Sequence, residues 1–452
     1  MNEKEYPLTA AQNVVANLAD FVHTLELLSL IAVVDFKSEI DEELMKKAIV
    51  ESVKRLPYCN VRFRRREDGT VVQYLCGNEP EPIETVDLSQ EEEANLEEVF
   101  RQWNRDAFPE SFEEIQLYKF RILHYQDGHQ GLFFCFQHFI MDGYAGIYTL
   151  HYVSKVYTSL LCGTELPSPG PEPWPLIDND LAFHASPRYQ KGFQKLCSYF
   201  DTEPCFSSIN GAGAPEFVEG KRYGKKQDFS QFGGGMISYP LQPAFGEMIE
   251  KEAKRLNIAP LNFFLLALRS YQGRVSNTDD VTIASLVCCR STLFEKHCGM
   301  NMADSQLVRS VIPDDCSFQD AVLMLSDIQN EELRYAKVVD SEVISAVNEK
   351  YGVPENGTYF SSWLTYFPPV THGEGLIDLS VKFVTNGWAA IPLYMLIIPD
   401  SNHGTMSATY SYALGYTPRE NVERFHAFML KFLEKGIAQP DKAIGTLVDE
   451  SI

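Results

Sequence analysis

The tightest constraint on how this chain folds is a change of period between residues 132 and 160. Leu132-Phe133-Phe134-Cys135-Phe136 is a short apolar run rich in aromatic residues, which reads as a buried strand. Gln137-His138-Phe139-Ile140-Met141-Asp142-Gly143 closes it. Beyond that turn, Ala145, Tyr148, Val153, Val156, Tyr157 and Leu160 recur at helical spacing, and Gly163 supplies a C-terminal stop. A strand therefore hands over to a helix through a loop that carries a histidine and an aspartate. Loops held by rigid elements are where α/β proteins place their chemistry. On the residues alone His138 has two readings, a reactive imidazole or a satisfied core histidine beside a helix-capping Asp142.

The rest of the chain alternates in the same way. Leu28 to Phe36 and Val61 to Arg64 read as strands, and Glu42 to Leu56 as a helix with Leu44, Ala48, Ile49, Val53 and Leu56 on one face. Leu117 to His124 and Leu132 to Phe139 form a strand pair turned near Gln126-Asp127-Gly128. Residues 243 to 256 and 260 to 273 read as helices, Val281 to Val287 as a strand, and Ser317 caps a long helix. Ser407 to Tyr412 is a strand and Asn421 to Leu433 the last helix. Gly211 to Pro215 and Gly233-Gly234-Gly235 read as loops. The fold class is mixed α/β. Leu166 to Pro175 holds five prolines in ten residues and reads as an extended connection, excluding helix and central strand. It divides the chain into an N-terminal domain, 1–175, and a C-terminal domain, 176–452, both of ordinary size.

Composition enters by exclusion. A formal net charge of −23 opposes a nucleic-acid backbone or an anionic membrane as partner. The N-terminus, Met1-Asn2-Glu3-Lys4-Glu5, has no basic and apolar leader pattern, and the longest apolar stretch, about Leu25 to Val34, is short for a bilayer. These features suggest a cytoplasmic protein with reduced cysteines. The ten cysteines lack metal-ligand spacing, and no metal site, phosphate loop or dinucleotide fingerprint is expected. Lys221, Arg222, Lys225 and Lys226 form a basic cluster in this acidic chain, either a phosphate contact or a solvated loop.

His138-x-x-x-Asp142-Gly143 resembles the active-site motif of the chloramphenicol acetyltransferase-like superfamily, which includes condensation domains, BAHD acyltransferases and alcohol acetyltransferases. Tyr6-Pro7-Leu8-Thr9-Ala10-Ala11-Gln12 resembles the opening of condensation-type domains, and three segments resemble their second half. These are Asn257 to Pro260 with Asp279 to Ile283 and Arg290, Gly299 to Asp304, and Ala408 to Tyr412. The resemblance implies two related α/β domains in a V with a tunnel between them and His138 at its middle. It implies His138 as general base, Asp142 and Gly143 as motif residues, and Arg290 as the partner that holds Asp142 away from the imidazole. It also points to Ser362 as an oxyanion donor beside Trp363, and to Asn386 as tunnel lining. Gln137 stands where condensation domains carry a first histidine, and Ala145 where they often carry serine.

The chemistry this implies is direct acyl transfer from a thioester to a hydroxyl or amine. A neutral imidazole suits the proton abstraction, and the chain offers no Gly-x-Ser-x-Gly elbow or recognisable Cys-His pair for a covalent intermediate. No bound cofactor is expected. The donor is a coenzyme A thioester as co-substrate or, alternatively, a phosphopantetheinyl carrier supplied in trans, as in a free-standing condensation enzyme. A third reading is a binding module on an inactive acyltransferase scaffold. An intact His138-x-x-x-Asp142 argues against it.

Overall fold

A computed structural model describes residues 4–22, 25–77, 79–108, 111–226, 233–367, 377, 379–400 and 404–452. The chain separates into two compact units. The first comprises Met1–Ala185, Cys288–Ala303 and Val370–Gly387, and the second comprises Ser186–Val287, Asp304–Pro369 and Trp388–Ile452. The division is therefore not a single cut at residue 175. Two segments from the second half of the sequence join the first unit: the strand Leu379–Val384 pairs antiparallel with Ser29–Phe36, and residues 288–303 bond to Asp142 through Arg290, Met302 and Ala303.

The first unit is built on a five-stranded sheet ordered Leu379–Val384, Ser29–Phe36, Gln130–Gln137, Tyr118–His124, Glu84–Asp87. The central strand, Gln130–Gln137, is buried from Gly131 onward, so both of its faces are covered. That explains its unbroken apolar sequence, since a half-exposed strand would alternate. On one face Phe133 packs against Phe100 and Trp103 of the helix Glu93–Ala107, at ring centroid distances of 5.7 and 5.3 Å. On the other, Phe136 faces Gly146 of the helix Gly143–Cys162, where a Cβ would lie 2.5 Å from the ring. Burying a phenylalanine in this way contributes roughly 1.5–3 kcal/mol, and the strand spends three of them. A smaller three-stranded sheet, Tyr6–Pro7, Val71–Leu75, Val61–Arg65, completes the unit.

The second unit carries a six-stranded sheet ordered Asp304–Val311, Asp280–Val287, Ser362–Tyr366, Leu393–Asp400, Thr405–Ala413, Gly234–Leu241. The helix Leu261–Ser276 is buried from Leu261 through Gly273 and forms its core with Phe318, Phe425, Phe428 and Phe432. The helix Phe318–Leu333 begins at a Ser317 cap, whose hydroxyl accepts from Asp320 N.

Two sequence expectations give way. Gly234 and Gly235 open the strand Gly234–Leu241. They are glycine because a Cβ at 234 would lie 2.3 Å from the Trp388 backbone and one at 235 would lie 2.6 Å from the Tyr412 ring. The proline-rich segment is also not extended to its end. Trp174 and Pro175 start the helix Trp174–His184, since proline is tolerated in a first helical turn, where its missing N–H leaves no bond unmade. Among the described residues no helix is long and apolar enough to cross a membrane.

Candidate active site

The strand Gln130–Gln137 ends one residue before His138, and the helix Gly143–Cys162 begins five residues after it. The intervening turn is held at several backbone atoms. His138 N donates to Leu28 O at 2.8 Å, and Ile140 N and Met141 N donate to Gln137 O. Phe139 O accepts from Gln12 Nε2 at 3.0 Å. Phe139 is fully buried and stacks on Phe112 at 4.4 Å. The Gln137 side chain is wholly buried and donates through Nε2 to Leu25 O, so it serves the loop's structure.

Asp142 is the N-cap of the helix. Its Oδ1 accepts from Ala145 N at 2.9 Å and from Arg290 Nη2 at 3.1 Å. Its Oδ2 accepts from Arg290 Nη1 at 2.8 Å and from Met302 N and Ala303 N, both at 3.0 Å. Five donors saturate the carboxylate. Arg290 is buried with it, donates also to Cys288 O and Met300 O, and lies 4.6 Å from the Tyr144 ring centroid. Burial works against the guanidinium's charge, but Asp142 more than offsets this and the Arg290 pKa is raised. Cys289, at φ 50°, holds the left-handed conformation that turns the chain into Arg290. Gly299, at φ 74°, ends the helix Leu293–Cys298, and a Cβ there would strike the Tyr58 ring at 2.1 Å. Residues 288–303 thus form a segment with a short helix inside it, whose Arg290 guanidinium and Met302 and Ala303 N–H groups converge on one carboxylate.

His138 contrasts with Asp142. Its ring is half-buried and makes no hydrogen bond to the described residues. Desolvation lowers its pKa, and the negative charge of Asp142 only partly opposes this. The imidazole is therefore held neutral near pH 7, with its nitrogens uncommitted.

Gly143 is the first helical residue. Three residues on, Gly146 packs against the Phe136 ring with no room for a Cβ. Asn386, read in the sequence as tunnel lining, donates through Nδ2 to Leu27 O at 3.2 Å and Ser29 O at 3.0 Å, flanking the Leu28 carbonyl that holds His138. Ser362 and Trp363 belong to the second unit. Ser362 is fully buried, and its oxygen accepts from Gln272 Nε2. Trp363 is half-buried, edge-on to Tyr394 at 5.6 Å. Arg222 of the basic cluster donates to the carbonyls of Glu203 and Pro204 and lies 3.5 Å from Asp280, which leaves Lys221, Lys225 and Lys226 exposed there. A second cluster was missed in the sequence. Arg64, Arg65 and Arg66 are neutralised by Glu5, Asp20, Glu113 and Glu114. Burial pushes the Cys135 and Cys298 thiols up to about 12, which removes both as thiolate nucleophiles.

Residues 2–192 match the condensation-domain family model. Surfactin synthase subunit 1 of Bacillus subtilis (strain 168) is 21% identical over 463 residues, covering 98% of this chain, while the chain spans 12% of that relative's length. The first condensation domain of the calcium-dependent antibiotic synthetase, in complex with a substrate analogue, superposes with a TM-score of 0.82 at 14% identity, over 98% of this chain and 99% of that one. A mutant starter condensation domain of rhizomide synthetase, in complex with C8-CoA, does so with a TM-score of 0.82 at 14% identity, over 98% and 97%.

Proposed function

We propose that this chain, which belongs to the chloramphenicol acetyltransferase-like superfamily and has the fold of its condensation domains, is an acyltransferase with His138 as general base. The acceptor O–H or N–H attacks the thioester carbonyl while the His138 ring takes its proton. The tetrahedral adduct collapses, the C–S bond breaks, and the imidazolium returns the proton to the departing thiolate. The products are the acylated acceptor and a free thiol, and no covalent enzyme intermediate forms. The observation that carries this reading is an imidazole with no hydrogen bond among the described residues, set on a turn held by hydrogen bonds at His138 N, Phe139 O, Ile140 N and Met141 N. A base so placed contributes 10²–10⁴-fold, on the order of general-base catalysis elsewhere.

Asp142 is outside the reaction, because each of its oxygens is already engaged by donors other than the imidazole. Ser362 is assigned to the core of its own sheet, since its oxygen serves Gln272. A coenzyme A thioester is the donor we favour, in line with the C8-CoA held by the rhizomide synthetase domain. A carrier-bound thioester is the second reading, supported by the likeness to a surfactin synthase subunit.

The test is a screen of acyl-CoAs for thiol release with alcohols and amines, run beside the same acyl groups on a phosphopantetheinyl carrier. Release that depends on the acceptor supports acyl transfer, and the donor that works decides between the two readings. No acceptor-dependent release from either donor would refute the proposal.

A further inference from the structure

Gln12 lies 127 positions before Phe139 in sequence and touches it in the fold. Its side chain has two jobs that use different atoms. Oε1 accepts from Thr9 N at 2.9 Å while Gln12 N donates to Thr9 Oγ1 at 3.2 Å, a reciprocal capping box at the start of the helix Ala10–Val22. That job needs only the oxygen. The amide nitrogen is free for other work, and it donates to Gln73 Oε1 at 3.1 Å and to Phe139 O at 3.0 Å. Gln73 answers with Nε2 to Gln12 Oε1 and to Pro7 O, each at 2.8 Å. Both glutamines are 0% exposed. A buried amide pair satisfied in both directions is rigid, because leaving either partner unmade costs a full desolvation.

The target of that nitrogen matters. The peptide joining Phe139 and Ile140 has its carbonyl held by Gln12 and its N–H held by Gln137 O. The N–H of the preceding His138 is held by Leu28 O. Two anchored peptides thus bracket the residue whose ring is the proposed base, and Gln12 supplies the anchor on the helix side. We propose that Gln12, seated by Gln73, is a positioning residue for His138, aiming the imidazole through the Phe139 carbonyl without touching substrate.

The kinetic arm of the test rests on the acyl-transfer reading, and the titration arm does not. Gln12→Met removes the anchor and the cap, whereas Thr9→Ala removes the cap and leaves the Phe139 contact. We expect kcat to fall about ten- to a hundredfold in Gln12→Met with KM unchanged, the size of a misplaced catalytic group. Thr9→Ala is expected to lower Tm while kcat per folded molecule stays at the wild-type value. Without substrate, NMR titration of the His138 ring should move up toward the ordinary histidine range in Gln12→Met, as the loosened turn admits water, and stay put in Thr9→Ala. Should Gln12→Met not fold, Gln12→Glu keeps the cap oxygen and deletes the same N–H donors. Equal kcat in Gln12→Met and Thr9→Ala, or an unmoved His138 titration in Gln12→Met, overturns the positioning role. A wild-type protein that turns over no thioester overturns the acyl-transfer reading instead.

Discussion

The turn at His138 and the strand at Ser362 both carry polar side chains into a protein interior, and they settle them in opposite ways. In the second unit the accounts close locally. Ser361 Oγ donates to Ser207 O at 2.7 Å, Ser207 Oγ donates to Gln272 Oε1 at 3.3 Å, and Gln272 Nε2 donates to Ser362 Oγ. In the first unit the side chains packed around the turn each make hydrogen bonds, and one ring makes none among the described residues. Asp142, Gln137, Gln12 and Gln73 engage their neighbours, while the imidazole among them has no hydrogen-bond partner in the described residues and is pressed toward its neutral form. A titratable ring left without a hydrogen bond on a turn that is otherwise tied down is the better marker of chemistry, because its nitrogens stay available for proton transfer.

The comparison breaks most sharply at His138. His138→Ala should lower acyl transfer by about 10²–10⁴-fold with little loss of stability, since its ring makes no hydrogen bond among the described residues. Steady-state kinetics beside a melting curve check this, and normal turnover in the folded variant removes the mechanism. Asp142→Asn should do the reverse, acting first on stability. It leaves the buried Arg290 charge unpaired, and breaking such a pair from one side costs about 3–5 kcal/mol, read by denaturant unfolding. A crystal structure with the Asp142 carboxylate on the His138 ring would reverse the role assigned here. Ser362→Ala should have the smallest effect. Orphaning the Gln272 amide costs about 1–3 kcal/mol, and kcat per folded molecule should be unchanged. A kcat loss there without a stability loss would restore Ser362 as an oxyanion donor.

Much of the site's frame was legible in the sequence, for a physical reason. Strand Gln130–Gln137 and helix Gly143–Cys162 announce themselves by local period, and Gly163 at φ 64° ends the helix as its position suggests. What closes the turn was not legible in that way. Met302 N and Ala303 N reach Asp142 across 160 and 161 positions, and Asn386 reaches Leu27 across 359. Backbone donors have no sequence signature, and contacts so distant leave no period. Thr9-Ala10-Ala11-Gln12 carries a readable capping-box pattern, but the pattern tells only of the cap and not of the spare amide nitrogen. Gly146 is glycine because the Phe136 ring leaves no room for a Cβ, a contact that helical spacing does not announce. Arg64 to Arg66 and Lys221 to Lys226 look alike as strings. Glu5, Asp20, Glu113 and Glu114 neutralise the first cluster, whereas three lysines of the second stay exposed.

The central claim is that His138 works as a neutral base that Asp142 does not orient. The pH dependence of kcat/KM tests it most directly, because its acid limb reports the ionisation of the free enzyme's base. Burial disfavours the charged imidazole, so the limb should fall below the ordinary histidine value of about 6.5. The charge of Asp142 pulls the other way, so folded Asp142→Asn should move the limb lower still. A wild-type limb at or above 6.5, or one that rises when Asp142 loses its charge, would contradict the account.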